Sequence, residues 1–213
     1  MSTPQERSVT QAGNPAKPTG EAGAEMLARM NDSHAAVTEW GLSHLSIAAN
    51  ATVLDIGCGG GATLHRLALR APQGHITGVD YSDVSVACSR AFNQADIACG
   101  HMDVVQGSVE ALPFAEGSFD IITTVESFYF WPNPQENLRE VRRVLKEGGT
   151  FALIADIHEN GQLSDKTREN IGLYHLFNPT KEEFEQLFRR AGFRNITLHT
   201  REGEAWITVC GQR

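Results

Sequence analysis

The chain reads as an α/β protein with a parallel sheet covered on both faces and closed by an antiparallel hairpin. Three observations carry this. From Ala51 onward, short apolar runs alternate with stretches of helical spacing, the pattern of βαβ units. Glycines cluster between Gly57 and Gly61, where the first apolar run gives way to the first helical stretch. Near the C-terminus two runs stand too close together for a crossover, so they must be antiparallel.

The elements follow in order. Met1 to Gly20 holds Pro4, Pro15, Pro18 and almost nothing apolar. It buries too little to order itself, so a flexible arm is expected at 1–20, with part of it free to close over a ligand. Glu21 to Ile47 carries Met26, Leu27, Met30, Val37, Leu42 and Leu45 at roughly helical spacing. Asn31, Asp32 and Ser33 interrupt that pattern and suit the cap of a second helix. Two short helices are therefore expected at 21–47 as a lid, ahead of a main domain at 48–213. The strands of that domain are expected at Thr52–Ile56, His75–Val79, Met102–Gln106, Phe119–Val125 and Thr150–Ala155. Helices are expected through Leu64, Leu67 and Ala68, from near Ser82, and from Pro134. Asn133 and Glu136 are spaced as a capping box for the third, and Gly148 and Gly149 as its end. Thr180-Lys-Glu-Glu183 is a second capping box. It opens a helix through Phe184, Leu187, Phe188 and Ala191, with Gly192 just beyond. The closing hairpin is expected to pair Asn195–His199 with Ala205–Cys210.

Composition narrows the function classes. The chain has 213 residues, with 18 Lys+Arg against 26 Asp+Glu for a net charge of −8. That acidic balance is wrong for a nucleic-acid or anionic-membrane surface. Its apolar runs, such as Phe151 to Ala155, are strand-sized and far short of the ~20 residues of a membrane span. No secretory core stands in the first residues. The four cysteines, Cys58, Cys88, Cys99 and Cys210, form no C-x-x-C pair. Neither a disulfide framework nor a zinc site is expected, and free thiols fit a cytoplasmic protein. No metal is expected.

Val53-Leu-Asp-Ile-Gly-Cys-Gly-Gly-Gly61 carries the chemistry. Gly57 and Gly59 allow a sharp turn and a close approach to a ligand. The helix start behind them offers unpaired N–H groups. Asp80 ends the second strand, where a carboxylate accepts from both hydroxyls of a ribose. Gly57, Gly59 and Ala62 also satisfy a dinucleotide fingerprint. Asp55, two residues before the loop, tips the balance: it repels a pyrophosphate and attracts a cationic group, such as the α-ammonium or sulfonium of S-adenosylmethionine.

At this point the chain resembles the class I S-adenosylmethionine-dependent methyltransferases. The likeness is to the small bacterial group similar to the ubiquinone/menaquinone C-methyltransferases, with a type 11 methyltransferase domain. It rests on VLDIGCGGG (53–61), ITGVDYS (76–82), GSVEALPFAEGSFDIITTVESFYFW (107–131) and LREVRRVLKEGGTFAL (138–153). TKEEFEQLFRRAGF (180–193) looks like the last helix of such enzymes. The resemblance implies a Rossmann-like doubly wound sheet of seven strands, order 3-2-1-4-5-7-6, with strand 7 antiparallel. It implies S-adenosyl-L-methionine as cofactor. Gly57, Cys58, Gly59 and Gly61 would lie under the methionine part and Asp55 near its ammonium. Asp80 would hold the ribose and Tyr81 would pack beside the adenine. Ser108 and Val109 stand where many relatives carry Asp-Ala; the serine departs from that pattern and is the weaker acceptor. Val125 and Glu126 would approach the methionine from the end of strand 4.

Methyl transfer from a sulfonium needs alignment and exclusion of water, and a base only for an acceptor that keeps a proton. Glu126, Tyr129, His158 and His175 are the candidates for that base. His34 and Trp40 read as packing or pocket wall. The expected activity is methyl transfer to a small-molecule acceptor, from the aromatic run Phe128–Trp131 and the leading helices. A nicotinamide dehydrogenase is disfavoured by Asp55. A non-catalytic S-adenosylmethionine-binding module, and a methyltransferase acting on protein or tRNA, are the remaining alternatives. The sequence names neither the acceptor nor the oligomeric state.

Overall fold

The computed structural model describes residues 10–213; the first nine positions of the expected arm lie outside them. A helical turn at 10–13 precedes α1 (Gly20–Ser33) and α2 (Ala35–Leu42). The main domain then alternates: β1 (Thr52–Ile56), α3 (Ala62–Arg70), β2 (His75–Asp80), α4 (Asp83–Phe92), α5 (Gln94–Ala98), β3 (Met102–Gln106), β4 (Phe119–Val125). It continues with α6 (Pro134–Val144), β5 (Leu145–Ala155), α7 (Asp165–Tyr174), α8 (Lys181–Ala191), β6 (Arg194–Thr200) and β7 (Ile207–Gln212). The strands form one sheet in the order β3-β2-β1-β4-β5-β7-β6. β1 to β5 pair in parallel, and β7 runs antiparallel to both β5 and β6.

The core lies on both faces of this sheet because successive strand residues point to opposite sides. Along β1, Val53 joins Leu64, Leu67, Ile76, Ile121 and Ile154 on one face. Its neighbour Leu54 joins Ile122, Phe151, Phe184 and Phe188 on the other. Phe151 and Phe188 are fully buried and stack at 5.4 Å. Cutting either back to Ala would cost about 3–5 kcal/mol in lost transfer energy and cavity.

Some local expectations shift. Asn31, Asp32 and Ser33 stay inside α1, and the break falls at His34, with no side-chain cap. The α6 capping box does not form. Asn137 Oδ1 accepts from the Asn133 N–H at 3.1 Å, and Glu136 pairs with Arg139 instead. α6 also ends before the glycines: buried Leu145 is already extended and pairs with Phe119 in β4. Gly148, at φ +75°, serves a bend inside β5. The Thr180 box does form, with Glu183 N–H donating to Thr180 Oγ1 at 3.2 Å and Thr180 N–H to Glu183 Oε2 at 2.8 Å.

Candidate active site

A cavity of about 410 Å³ lies over the carboxyl ends of β1, β2 and β4, the edge where open α/β sheets hold ligands. Its floor is the loop after β1. Gly57 and Gly59 take φ of +73° and +51°, in the region that favours glycine. A Cβ on Gly57 would stand 2.5 Å from Ser127 Oγ, which is itself held by Ile56 O and Thr124. A Cβ on Gly59 would enter the space between the floor and Leu27 of α1, 3.5 Å from its Cδ2.

Asp80 closes the floor. Its Oδ2 accepts from Gly59 N–H at 3.0 Å and its Oδ1 from Ser82 N–H at 2.9 Å. Burial raises its pKa, and these N–H groups oppose the rise. Each oxygen keeps lone pairs for a further donor.

The structure brings together Gly57, Cys58, Gly59, Asp80, Tyr81, Ser108, Val109, Val125 and Glu126 on the cavity wall. It does not bring Asp55 or Gly61 there. Asp55 is buried below the loop, where Thr123 Oγ1 donates to its Oδ1 at 2.6 Å. Desolvation pushes its pKa up to about 7. Gly61 caps α3 at φ +87°, and a Cβ there would stand 2.6 Å from Asn93 Nδ2 of α4. Cys58 is buried under the Ser89 hydroxyl, and burial pushes its thiol well up, away from thiolate. Ser108 Oγ takes the Glu110 N–H at 3.2 Å. Tyr81 is half exposed, and its hydroxyl donates to Ala16 O.

The base candidates separate. Glu126 lines the cavity at φ +54°, a left-handed backbone at the end of β4. Its Oε1 accepts the Asp156 N–H at 2.5 Å. Tyr129 is buried behind it and donates to Asp156 Oδ1 at 3.1 Å. Burial and the neighbouring carboxylate raise both the Glu126 and Tyr129 pKa values well above ordinary. His158 is buried away from the cavity, with Nδ1 2.7 Å from Ala205 O. His175 is an exposed left-handed cap of α7. Neither histidine lines the cavity.

The cavity roof comes from the N-terminal segment: Pro15, Ala16, Pro18, Leu27, Met30, Asn31, His34 and Thr38. Asn31 Nδ2 donates to Gly60 O at 3.1 Å, and Ser82 Oγ to Pro18 O at 2.7 Å. His34 reaches down to Glu126, Nε2 to Oε2 3.8 Å. Trp40 instead packs outside, against His44 and Trp206. The sequence offers Asn31 only as a helix cap and His34 only as packing or pocket wall, and it gives Asp156 no role. Leu27, Met30, Asn31 and His34 share one helical face, which is the signal that was available. Asp156 follows β5 at the ligand edge, two residues before His158.

Residues 54–153 match the methyltransferase domain family. The chain is 31% identical over 154 residues to the 2-methyl-6-phytyl-1,4-hydroquinone methyltransferase 1 of Oryza sativa subsp. japonica, covering 72% of this chain and 44% of that protein. It thus spans less than half the length of that relative. It is 27% identical over 177 residues to the demethylmenaquinone methyltransferase of Lactococcus lactis, covering 72% of this chain and 70% of that one. A SAM dependent methyltransferase from Aquifex aeolicus has the same fold, with TM-score 0.72 at 18% identity over 88% of this chain and 97% of that one.

Proposed function

We propose that the chain, whose residues 54–153 match a methyltransferase domain, is a class I S-adenosylmethionine-dependent methyltransferase that methylates a small, partly apolar molecule. One observation carries the reading: a single cavity has a nucleoside-type floor and an apolar roof. The floor residues fit S-adenosylmethionine. Asp80 keeps free lone pairs for ribose hydroxyls, and Gly59 leaves its Cβ space open. Val79, Ser108 and Val109 give a slot beside Asp80 for a flat base. Gly57 and Cys58, with Val125 and Glu126 opposite, border the place for the methionine part.

The bound cofactor supplies an electrophilic methyl group on sulfur. The chain's own residues do the rest. The floor fixes the methyl's direction, and the roof excludes water and holds the acceptor in line. Leu27, Met30, Phe130 and Trp131 give the acceptor end of the cavity apolar walls, suited to an uncharged ring or chain. The rice relative is named for a hydroquinone and the Lactococcus relative for demethylmenaquinone, and ring systems of that kind suit such walls.

The test has two stages. Calorimetry with S-adenosylhomocysteine establishes the floor. Labelled S-adenosylmethionine is then incubated with the chain and a metabolite extract, and the labelled product is identified by mass. A labelled small molecule is expected. Label found only in protein or RNA would overturn the acceptor class.

A further inference from the structure

We propose that His34, carried by the roof, is the group that takes the acceptor's proton, with Glu126 beside it and Asp156 and Tyr129 as positioning residues. This rests on the methyltransferase reading and goes beyond it, since it assigns the base and the kind of acceptor it serves.

The geometry is specific. His34 sits in the hinge between α1 and α2, as the last cap of one helix and the first of the next. Its ring faces the cavity, and Nε2 lies 3.8 Å from Glu126 Oε2. Glu126 cannot swing away. Its Oε1 is tied to the Asp156 N–H, and its left-handed backbone at the end of β4 fixes where the side chain starts. Asp156 is tied in turn by the Tyr129 hydroxyl. Two carboxyl groups, Glu126 on the cavity wall and Asp156 behind it, therefore face the imidazole that comes from the roof, all within 4.8 Å of one another.

The groups facing His34 act in both directions. Burial lowers its pKa, Asp156 raises it, and Arg29 of α1 lowers it. With burial the largest of these, the ring is neutral at neutral pH and Nε2 accepts a proton. Burial and Asp156 raise the Glu126 pKa, and its Oε2 faces the same ring at 3.8 Å.

The acceptor this serves carries an ionisable hydroxyl on an uncharged, flat body. The apolar walls accept the body, and the His34–Glu126 end meets the hydroxyl. In the step itself the O–H bond breaks and its proton goes to His34 Nε2. The electron pair left on the acceptor forms the bond to the methyl carbon. The bond from that carbon to sulfur breaks with its pair left on sulfur. A cationic sulfur becomes neutral as a neutral imidazole becomes cationic, so charge balances. Because His34 belongs to the roof, the base is in place only when the roof is down, and the acceptor is ionised only after water has been shut out.

The test needs no turnover. The full chain is saturated with S-adenosylhomocysteine and titrated with 4-nitrophenol, whose phenolate is coloured. The pH midpoint for ionisation of the bound probe is expected to fall by about one unit below its value in buffer, a tenfold gain in phenolate at fixed pH. The shift should vanish in His34→Ala and in Glu126→Gln, and added imidazole should restore it in His34→Ala. The circular dichroism and thermal transition of His34→Ala, measured in parallel, should match wild type, which shows that the variant is folded. A probe that stays neutral on the wild-type protein, fails to bind it, or ionises equally in His34→Ala overturns the proposal. Failure of the wild-type chain to bind S-adenosylhomocysteine would instead strike the methyltransferase reading.

Discussion

The floor and the roof of the cavity are built by different means. The floor, from β1 through the start of α4, is held by backbone: three left-handed glycines, a carboxylate accepting two N–H groups, and parallel strand pairs. The roof, from Pro15 to Thr38, buries Met26, Leu27 and Val37 and adds polar side-chain contacts to that floor. These are Asn31 to Gly60 O, Ser82 to Pro18 O, Tyr81 to Ala16 O, and the His34–Glu126 approach. A backbone-built floor binds one ligand in one pose. On the proposed reading, cofactor affinity belongs mainly to the floor and acceptor chemistry to the roof.

Substitutions on either side break or sharpen this contrast. The largest effect is expected from Gly59→Val. It fills the space under Leu27 and strains a φ of +51°, so S-adenosylhomocysteine binding should fall below detection while the far-ultraviolet circular dichroism stays native. Near-normal affinity in calorimetry would move the ligand off this loop.

Asp55 comes next, through pH. Its folded pKa, about 7, lies above the 3.8 of the unfolded chain, so the folded state holds its proton longer. Its contribution is full below pH 4 and is lost as the pH rises through 7. The span corresponds to about 4 kcal/mol at most. Urea unfolding should show Asp55→Asn gaining on wild type steadily between those limits. A constant difference would mean that Asp55 ionises normally.

Asp80→Ala should weaken S-adenosylhomocysteine by about 1.5–3 kcal/mol, the range for hydrogen bonds to a charged group. Unchanged affinity in a folded variant would remove it from ribose binding. On the roof, Asn31→Ala deletes one neutral hydrogen bond to Gly60 O. It should shift cofactor affinity by only about 0.5–1.5 kcal/mol. A loss there as large as for Asp80→Ala would erase the distinction between floor and roof.

The same division explains what could be read in the sequence. Gly57, Gly59 and Asp80 obey local rules, a turn and a strand end, and so does the Thr180 capping box. The β6–β7 hairpin is equally local. Asp55 was harder. β1 is covered on both faces, so alternation does not tell which side chains look toward the ligand, and it was placed nearer the ligand than it lies. The end of α6 was misread because Gly148 and Gly149 suit a helix stop, whereas Leu145 gains more by burial and pairing with Phe119. His34 and Asp156 lie far apart along the chain. Only the packing of α1 across the sheet edge brings them to one carboxylate, and no local pattern encodes that.

Amide hydrogen exchange with and without S-adenosylhomocysteine tests the central claim that floor and roof close around one cofactor. Protection is predicted in two separate stretches, 57–63 of the floor and 15–34 of the roof, rising together with ligand occupancy. Protection confined to the floor, with 15–34 exchanging at the same rate in both conditions, would contradict it.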